Sequence, residues 1–240
     1  MKKFYKLVST HKEGGLYQVH LDGRPVKCPS GKALSHPSEK LVQALMGEWA
    51  AQGETIDPET MPLTQILTTQ IDRVSRERKA METALFKYLD TDLLCYRAGD
   101  DPPGQREAQE TAWNPWLGWF EKRFGETLQT TNDLRALTQP QTAHDTVHIH
   151  IQNLQDGVFT ILGIITPLSG SLVLGLAFIE GAITPDQVYE CAHVEEDFKG
   201  KIYNEELYGR APLEEKKDAA MRRDLEATAL FLMLTESKER

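Results

Sequence analysis

The sequence is poor in the features that mark several large functional classes. Of its 240 residues only three are cysteine, Cys28, Cys95 and Cys191, far apart and without a Cys-x-x-Cys pair. An odd, scattered set excludes a disulfide framework and fits free thiols in a reducing compartment. Positive charge is short as well. The 27 Lys and Arg are outnumbered by 36 Asp and Glu, for a net charge of −9. That balance argues against nucleic acid or an anionic membrane surface as partner. The first residues, MKKFYKLVST, lack the apolar core of a signal peptide, so the expected location is the bacterial cytoplasm, or a compartment reached after removal of a targeting segment. Catalytic signatures are missing: there is no Gly-x-Ser-x-Gly and no Gly-x-Gly-x-x-Gly. The nearest approach to a phosphate-binding loop, Gly23 to Gly31–Lys32–Ala33, has the wrong spacing and no hydroxyl after the lysine. Internal repeats and low-complexity tracts are absent too.

Long uncharged runs are also rare, with one exception. Val158–Ile179 carries twenty-two residues without a charge, in a chain that is 26% charged. The run is long enough to cross a bilayer, but Pro167, Ser169, Gly170 and Ser171 interrupt it, and Asp156 and Glu180 flank it without a basic cluster. The pattern predicts two short helices forming a buried hairpin, with the break at Pro167–Gly170 and no stable membrane insertion.

Residues 3–35 read as a small β-meander, with turns at Lys12–Gly14, Asp22–Gly23 and Ser30–Gly31. A helix follows Ser35–Glu39, with Leu41, Leu45 and Trp49 on one stripe. Helical periodicity then runs from Leu63 through Arg97. A loop, Gly99–Gly104, precedes a helix from about Gln105 to Phe124, and Gly125–Pro140 reads as a linker. Further helices are expected near 141–153, 157–166, 170–180, 184–200 and 213–237. Strands followed by helices, without alternation, indicate an α+β fold: a small β-rich N-terminal domain over 1–58 and a larger all-helical domain over 59–240.

Three constellations could carry chemistry or binding. His144 and His148 are one helical turn apart, and Glu190 and His193 form a Glu-x-x-His, which together suggest a helical metalloenzyme as the alternative function. Trp113, Trp116 and Trp119 recur at three-residue spacing, as core or as a protein-binding surface. Glu195, Glu196 and Asp197 place three acids together, extended by Glu205–Glu206 and Glu214–Glu215, as a solvated face or as a patch for a basic partner.

A set of ordered motifs gives a specific direction. They are Gly23–Lys27, Pro29–Lys32, Glu48–Trp49, Gln52–Gly53, Ile56–Asp57–Pro58, Met61–Thr64, Ile71–Val74, Thr91–Arg97 and Trp113–Asn114–Pro115. In this order, over nearly the whole chain, the sequence resembles the assembly-chaperone family for the α subunit of the F1 ATP synthase. The resemblance implies a two-domain fold, no enzymatic activity and no cofactor. It implies a monomer that binds the free F1 α subunit, in the bacterial cytoplasm or, for eukaryotic relatives, the mitochondrial matrix. The family's functional acid matches either Glu195 or Glu196. The chain departs from the family pattern at 198–203 and has about five extra residues near Glu205–Pro212.

Overall fold

The computed structural model describes residues 1–100, 102–133, 135–202 and 212–236. By its contacts the chain divides into two units, Met1–Arg78 with the C-terminal stretch from Glu226, and Lys79–Leu225. The fold is α+β, with a small antiparallel sheet at the N-terminus and helices thereafter. The division falls about twenty residues beyond the expected boundary at 58. The reason is that α2 (Pro62–Thr69) buries Leu63, Ile66 and Leu67, with α1 (Glu39–Ala50) among its neighbours.

In the first unit, β1 (Val8–Glu13) and β2 (Leu16–Leu21) form a hairpin in which Val8 faces Leu21 and Glu13 faces Leu16. The turn is Gly14–Gly15, not Lys12–Gly14 as the sequence suggested. Both glycines have positive φ, 58° and 85°, as a two-residue primed turn requires. The Asp22–Gly23 turn leads into β3 (Arg24–Pro25), and β4 (Ser35–His36) also pairs with β2. Asp22 has φ 48°, and its carboxylate accepts from the Lys6 and Leu7 amides, which holds its pKa below the ordinary value. Val19 and Leu21 face inward, and α1 covers the sheet with Leu41, Val42 and Leu45 fully buried. Ser38 caps α1 by accepting from Leu41 N.

Several motif residues prove to be couplings between elements. Met61 provides no side-chain cap for α2; the Glu48 carboxylate does so instead, accepting from Leu63 N at 2.7 Å, Thr64 N at 2.8 Å and Thr64 Oγ1 at 2.7 Å. Burial raises the Glu48 pKa against these hydrogen bonds. Gln52 accepts from Asp57 N at 2.7 Å and donates to Glu48 O and Thr60 Oγ1, fixing the loop between α1 and α2. Asp72 accepts from Ser30 N at 3.1 Å and from the Ser30 hydroxyl, tying the sheet loop to the π-helical turn Gln70–Val74.

In the second unit, α3 (Ser75–Asp90, whose first residues belong to the first unit) ends earlier than expected, and Leu93–Cys95 forms a separate 3-10 turn. Next comes α4 (Gln105–Phe124), bounded by Gly104 and Gly125 in the left-handed region. Residues 125–133 and 135–140 are irregular but held in place, because Arg97 N donates to Thr131 O, Leu137 N to the Tyr96 hydroxyl and Gln139 N to Asp90 Oδ1. After α5 (Gln141–Gln152) comes the uncharged run, as α6 (Asp156–Ser169) and α7 (Leu172–Ile179). Pro167 lies inside α6, so the hairpin breaks at Gly170, φ 70°, three residues later than the proline. A proline there costs one backbone bond and leaves the last turn in place. Leu172 to Ala177 are all buried, and no helix of the described residues is long and apolar enough to cross a membrane. The chain continues in α8 (Pro185–Ile202) and α9 (Pro212–Thr235).

Asp92 fastens this hairpin. Its carboxylate is fully buried, and Oδ1 accepts from Leu94 N at 3.0 Å and from Ser171 Oγ at 2.7 Å, while Oδ2 accepts from Val173 N at 3.0 Å. It thus caps two helical segments at once, and Leu93 N adds a bond to Gly170 O. Burial, outweighing these donors, pushes its pKa up to about 6. Between about pH 4, where an unfolded aspartate titrates, and pH 6, the folded protein therefore holds this proton more tightly than the unfolded chain. Across that window the stability due to Asp92 falls as pH rises. Urea unfolding of the parent and Asp92→Asn is expected to show the difference in stability between them shrinking from pH 4 to pH 6.5. Of the glycines, Gly175 is the most tightly packed: an added Cβ would lie 2.7 Å from Thr166 Oγ1 and 2.9 Å from Leu162 Cδ1. Gly175→Ala is expected to lower stability by about 1–3 kcal/mol, measured by chemical denaturation.

Candidate functional site

The seam between α4 and α8 holds most of the residues singled out in the sequence. Trp113 is fully buried, and its indole donates to Cys191 O at 2.8 Å. It is a packing residue of the seam and not a surface that a partner touches. The Arg97 guanidinium lies 5.0 Å from the Trp113 ring and donates to Asn114 Oδ1 at 2.7 Å, which accounts for the Trp113–Asn114 pair as structure. Trp116 is half-buried beside the Cys191 thiol, whose pKa burial raises to about 11. Trp119 packs edge-on against Phe124. All three cysteines are free and buried.

Glu195, Glu196 and Asp197 point in three directions, as consecutive helical residues must. Glu195 is half-buried, and its Oε1 accepts from Gln109 Nε2 at 2.6 Å. Gln109 is fully buried and in turn accepts from Ala98 N at 2.6 Å. This chain of hydrogen bonds joins α8, α4 and the segment after Cys95. The Glu196 side chain is 69% exposed and lies 3.4 Å from His193 Nε2, which is also 3.5 Å from Asp218. Asp197 turns into a cleft between α4 and α8.

That cleft has a volume of about 520 Å³. Ala108 and Ala112 of α4 and Val194 and Phe198 of α8 supply small and apolar surface. Among the described residues, its ionisable lining residues are Glu107, Glu190 and Asp197, all acidic. Glu107 was not singled out in the sequence, and Glu190 was singled out only as part of the Glu-x-x-His of the metalloenzyme alternative. The available signal was the α8 series 190, 194, 197, 198, one helical face mixing acid with apolar side chains. The partner on α4 lies more than eighty residues away, and only packing brings the two together.

The residues of the metalloenzyme alternative are engaged elsewhere. His144 Nε2 lies 2.9 Å from Asp90 Oδ1, the His148 ring packs on Phe86 at 4.5 Å, and His193 stacks on Tyr189 at 4.0 Å. Among the described residues, no three His, Cys, Asp or Glu side chains converge as metal ligands. Glu205–Glu206 and the extra residues near Glu205–Pro212 fall outside the described residues, except Pro212 at the start of α9; Glu214 and Glu215 are exposed in its first turn.

Residues 2–121 match the family described as ATP12 chaperone protein. The chain belongs to the ATP12 chaperone family. By family it is an F1 ATP synthase assembly chaperone. Among its relatives is the mitochondrial protein atp12 of Schizosaccharomyces pombe, 24% identical over 206 residues, which are 81% of this chain and 70% of that one. Crystallographic Atp12 from Paracoccus denitrificans is 31% identical, with 98% of each chain covered and a TM-score of 0.86. A mutant of that protein with lysine in place of an aspartate superposes with a TM-score of 0.85, at the same identity and coverage. The Atu1473 protein of Agrobacterium tumefaciens is 29% identical, covering 98% of this chain and 86% of that one, with a TM-score of 0.88. The fold expected from the ordered motifs is therefore the fold of the family.

The Gln109–Glu195 bond is internal to the site, so it is expected to serve stability before binding. Glu195→Ala leaves a buried amide donor unpaired and is expected to cost about 1–3 kcal/mol in urea unfolding.

Proposed function

We propose that the protein is an ATP-independent assembly chaperone that binds the free α subunit of the F1 ATP synthase and shields its interface until the hexamer assembles. An α subunit awaiting assembly exposes apolar interface and is prone to aggregate. A binder suited to it needs a rigid face with apolar contacts and a charged edge that steers and orients the partner. The observation that carries the proposal is the α4–α8 cleft, where apolar side chains lie among three acids on packed helices. Membership of the ATP12 family supports the same conclusion. The protein acts as a monomer, in the cytoplasm of a bacterium, without a cofactor.

Glu196 and Asp197 form the partner-facing part of the acidic turn of α8, with Trp116 at the edge of the seam, whereas Glu195 positions α8 through Gln109. Exposure of the Glu196 side chain supports this division of roles. The direct test is co-purification of the chain with isolated F1 α subunit and not with assembled F1. Glu196→Lys is expected to weaken α binding several-fold, and more at low salt, with the thermal midpoint unchanged. Loss of thermal stability with unchanged affinity would make Glu196 a structural residue, paired with His193.

A further inference from the structure

The sheet of the first unit has one long edge. Among the described residues, β1 pairs only with β2, whose other side is taken by the two-residue strands β3 and β4. Glu13 and Leu16 flank a two-residue turn, so this pair exchanges both backbone hydrogen bonds. Bonded pairs then alternate along the hairpin, as His11 with Gln18 and Ser9 with His20. Asp22 N donating to Leu7 O at 2.9 Å continues the series. Val8, Thr10 and Lys12 therefore turn their N–H and C=O groups away from β2. Among the described residues nothing bonds to these backbone groups. The strand is six residues long and exposed from Thr10 to Glu13. Such an edge is a template for a further strand.

The side chains beside the edge narrow what can join it. Val8 and Thr10 share a face with their cross-strand partners Leu21 and Val19, and Val8 packs on the cluster of Tyr5, Leu21, Ile56 and Met61. An added strand would continue that face with every second residue. Just upstream, Phe4 and Leu7 are 65% and 63% exposed. The first twelve residues hold Lys2, Lys3, Lys6 and Lys12 and no acid. Lys3 donates to Gln52 O and Lys12 to the Tyr17 hydroxyl, neutral partners that leave the charge in place. The acids of this surface are Glu13 at the turn, Asp22, which accepts from the Lys6 and Leu7 amides, and Glu39, which acts on Lys12. Lysine on an edge opposes self-pairing. A second copy of the chain would bring these lysines together, like charge against like charge.

We propose that the open edge of β1 takes up an extended segment of the bound α subunit as an added strand. The segment's backbone pairs with Val8, Thr10 and Lys12. Its side chains alternate, apolar beside Val8 and polar beside Ser9 and His11, with an acid in reach of Lys6 or Lys12. The inference rests on the proposed function, since the α subunit is taken as the source of the segment.

Amide exchange resolved residue by residue, on the full chain with and without purified F1 α subunit, reads the edge directly. In the free chain the Val8, Thr10 and Lys12 amides should exchange fast, and the Ser9, His11 and Glu13 amides, bonded to β2, slowly. Binding should slow the first three by about tenfold and so erase the alternation. Two variants act on the edge in independent ways. Thr10→Pro removes one outward amide at an edge position that accepts proline, and the double Lys6→Glu, Lys12→Glu reverses charge. The expected result is about a tenfold loss of α affinity in Thr10→Pro and about threefold in the double variant, larger at low salt, with an unchanged thermal midpoint in both. If Thr10→Pro fails to fold, the exchange pattern and the double variant still decide. Slow exchange of the three amides in the free chain, fast exchange persisting in the complex, or parent-like affinity in either folded variant overturns the inference and leaves the proposed function standing. A parent chain that does not bind α at all overturns both.

Discussion

The carboxylate of Asp92 sits without solvent contact at the point where the chain after α3 meets the turn between α6 and α7. A charge there is tolerated only because donors converge on it: the Ser171 hydroxyl, the Val173 amide and the Leu94 amide. The same contacts start α7, a helix whose residues from Leu172 to Ala177 are all buried and which has no polar face to orient it. An apolar helix of this kind gains roughly 1.5–3 kcal/mol for each large side chain it buries, but that gain does not depend on direction. Asp92 supplies the direction. With α7 fixed, α4 and α8 pack on it and on each other, and their seam forms the acidic cleft.

The motifs that make the chain recognisable are of this same structural kind. Glu48 caps α2 across the loop held by Gln52, and Asp72 binds the turn at Ser30. Arg97 and Asn114 join two segments beside a buried Trp113. Glu48, Gln52 and Asp72 each satisfy backbone groups at a helix start or loop, where a substitution leaves donors unpaired. The resemblance that identifies the family thus rests on residues that build the fold, and the surface proposed to meet the partner lies largely outside those motifs.

This separation explains what was legible in the sequence. The helix Gln105–Phe124 was placed correctly because the Pro-Pro-Gly loop and Gly125 mark both ends. The Asp22–Gly23 turn was equally plain. The Gly14–Gly15 turn was set one residue early because Lys12 and Glu13 read as turn residues, although their backbones complete the ladder to Leu16. The hairpin was foreseen with its break at Pro167–Gly170; its first helix was ended at 166, before the proline, whereas the structure carries it to Ser169 and turns at Gly170, which can take positive φ. The first unit was drawn too short because local periodicity carries no information on which layer a helix joins. For the site, the acidic turn on α8 was visible, but its three side chains diverge. Glu107 and Glu190 belong to the cleft through packing between distant segments, and Trp113, chosen for its type, is buried.

Binding of the α subunit is proposed to occur at an acidic face carried on the rigid helical frame of α4 and α8. Hydrogen–deuterium exchange of the full chain with and without isolated F1 α subunit tests it most directly. The predicted result is slowed exchange on binding concentrated in Gln105–Phe124 and Pro185–Ile202, with the buried α6–α7 hairpin unchanged. Protection confined to the N-terminal sheet, or no protection under conditions where the two proteins form a complex, would contradict it.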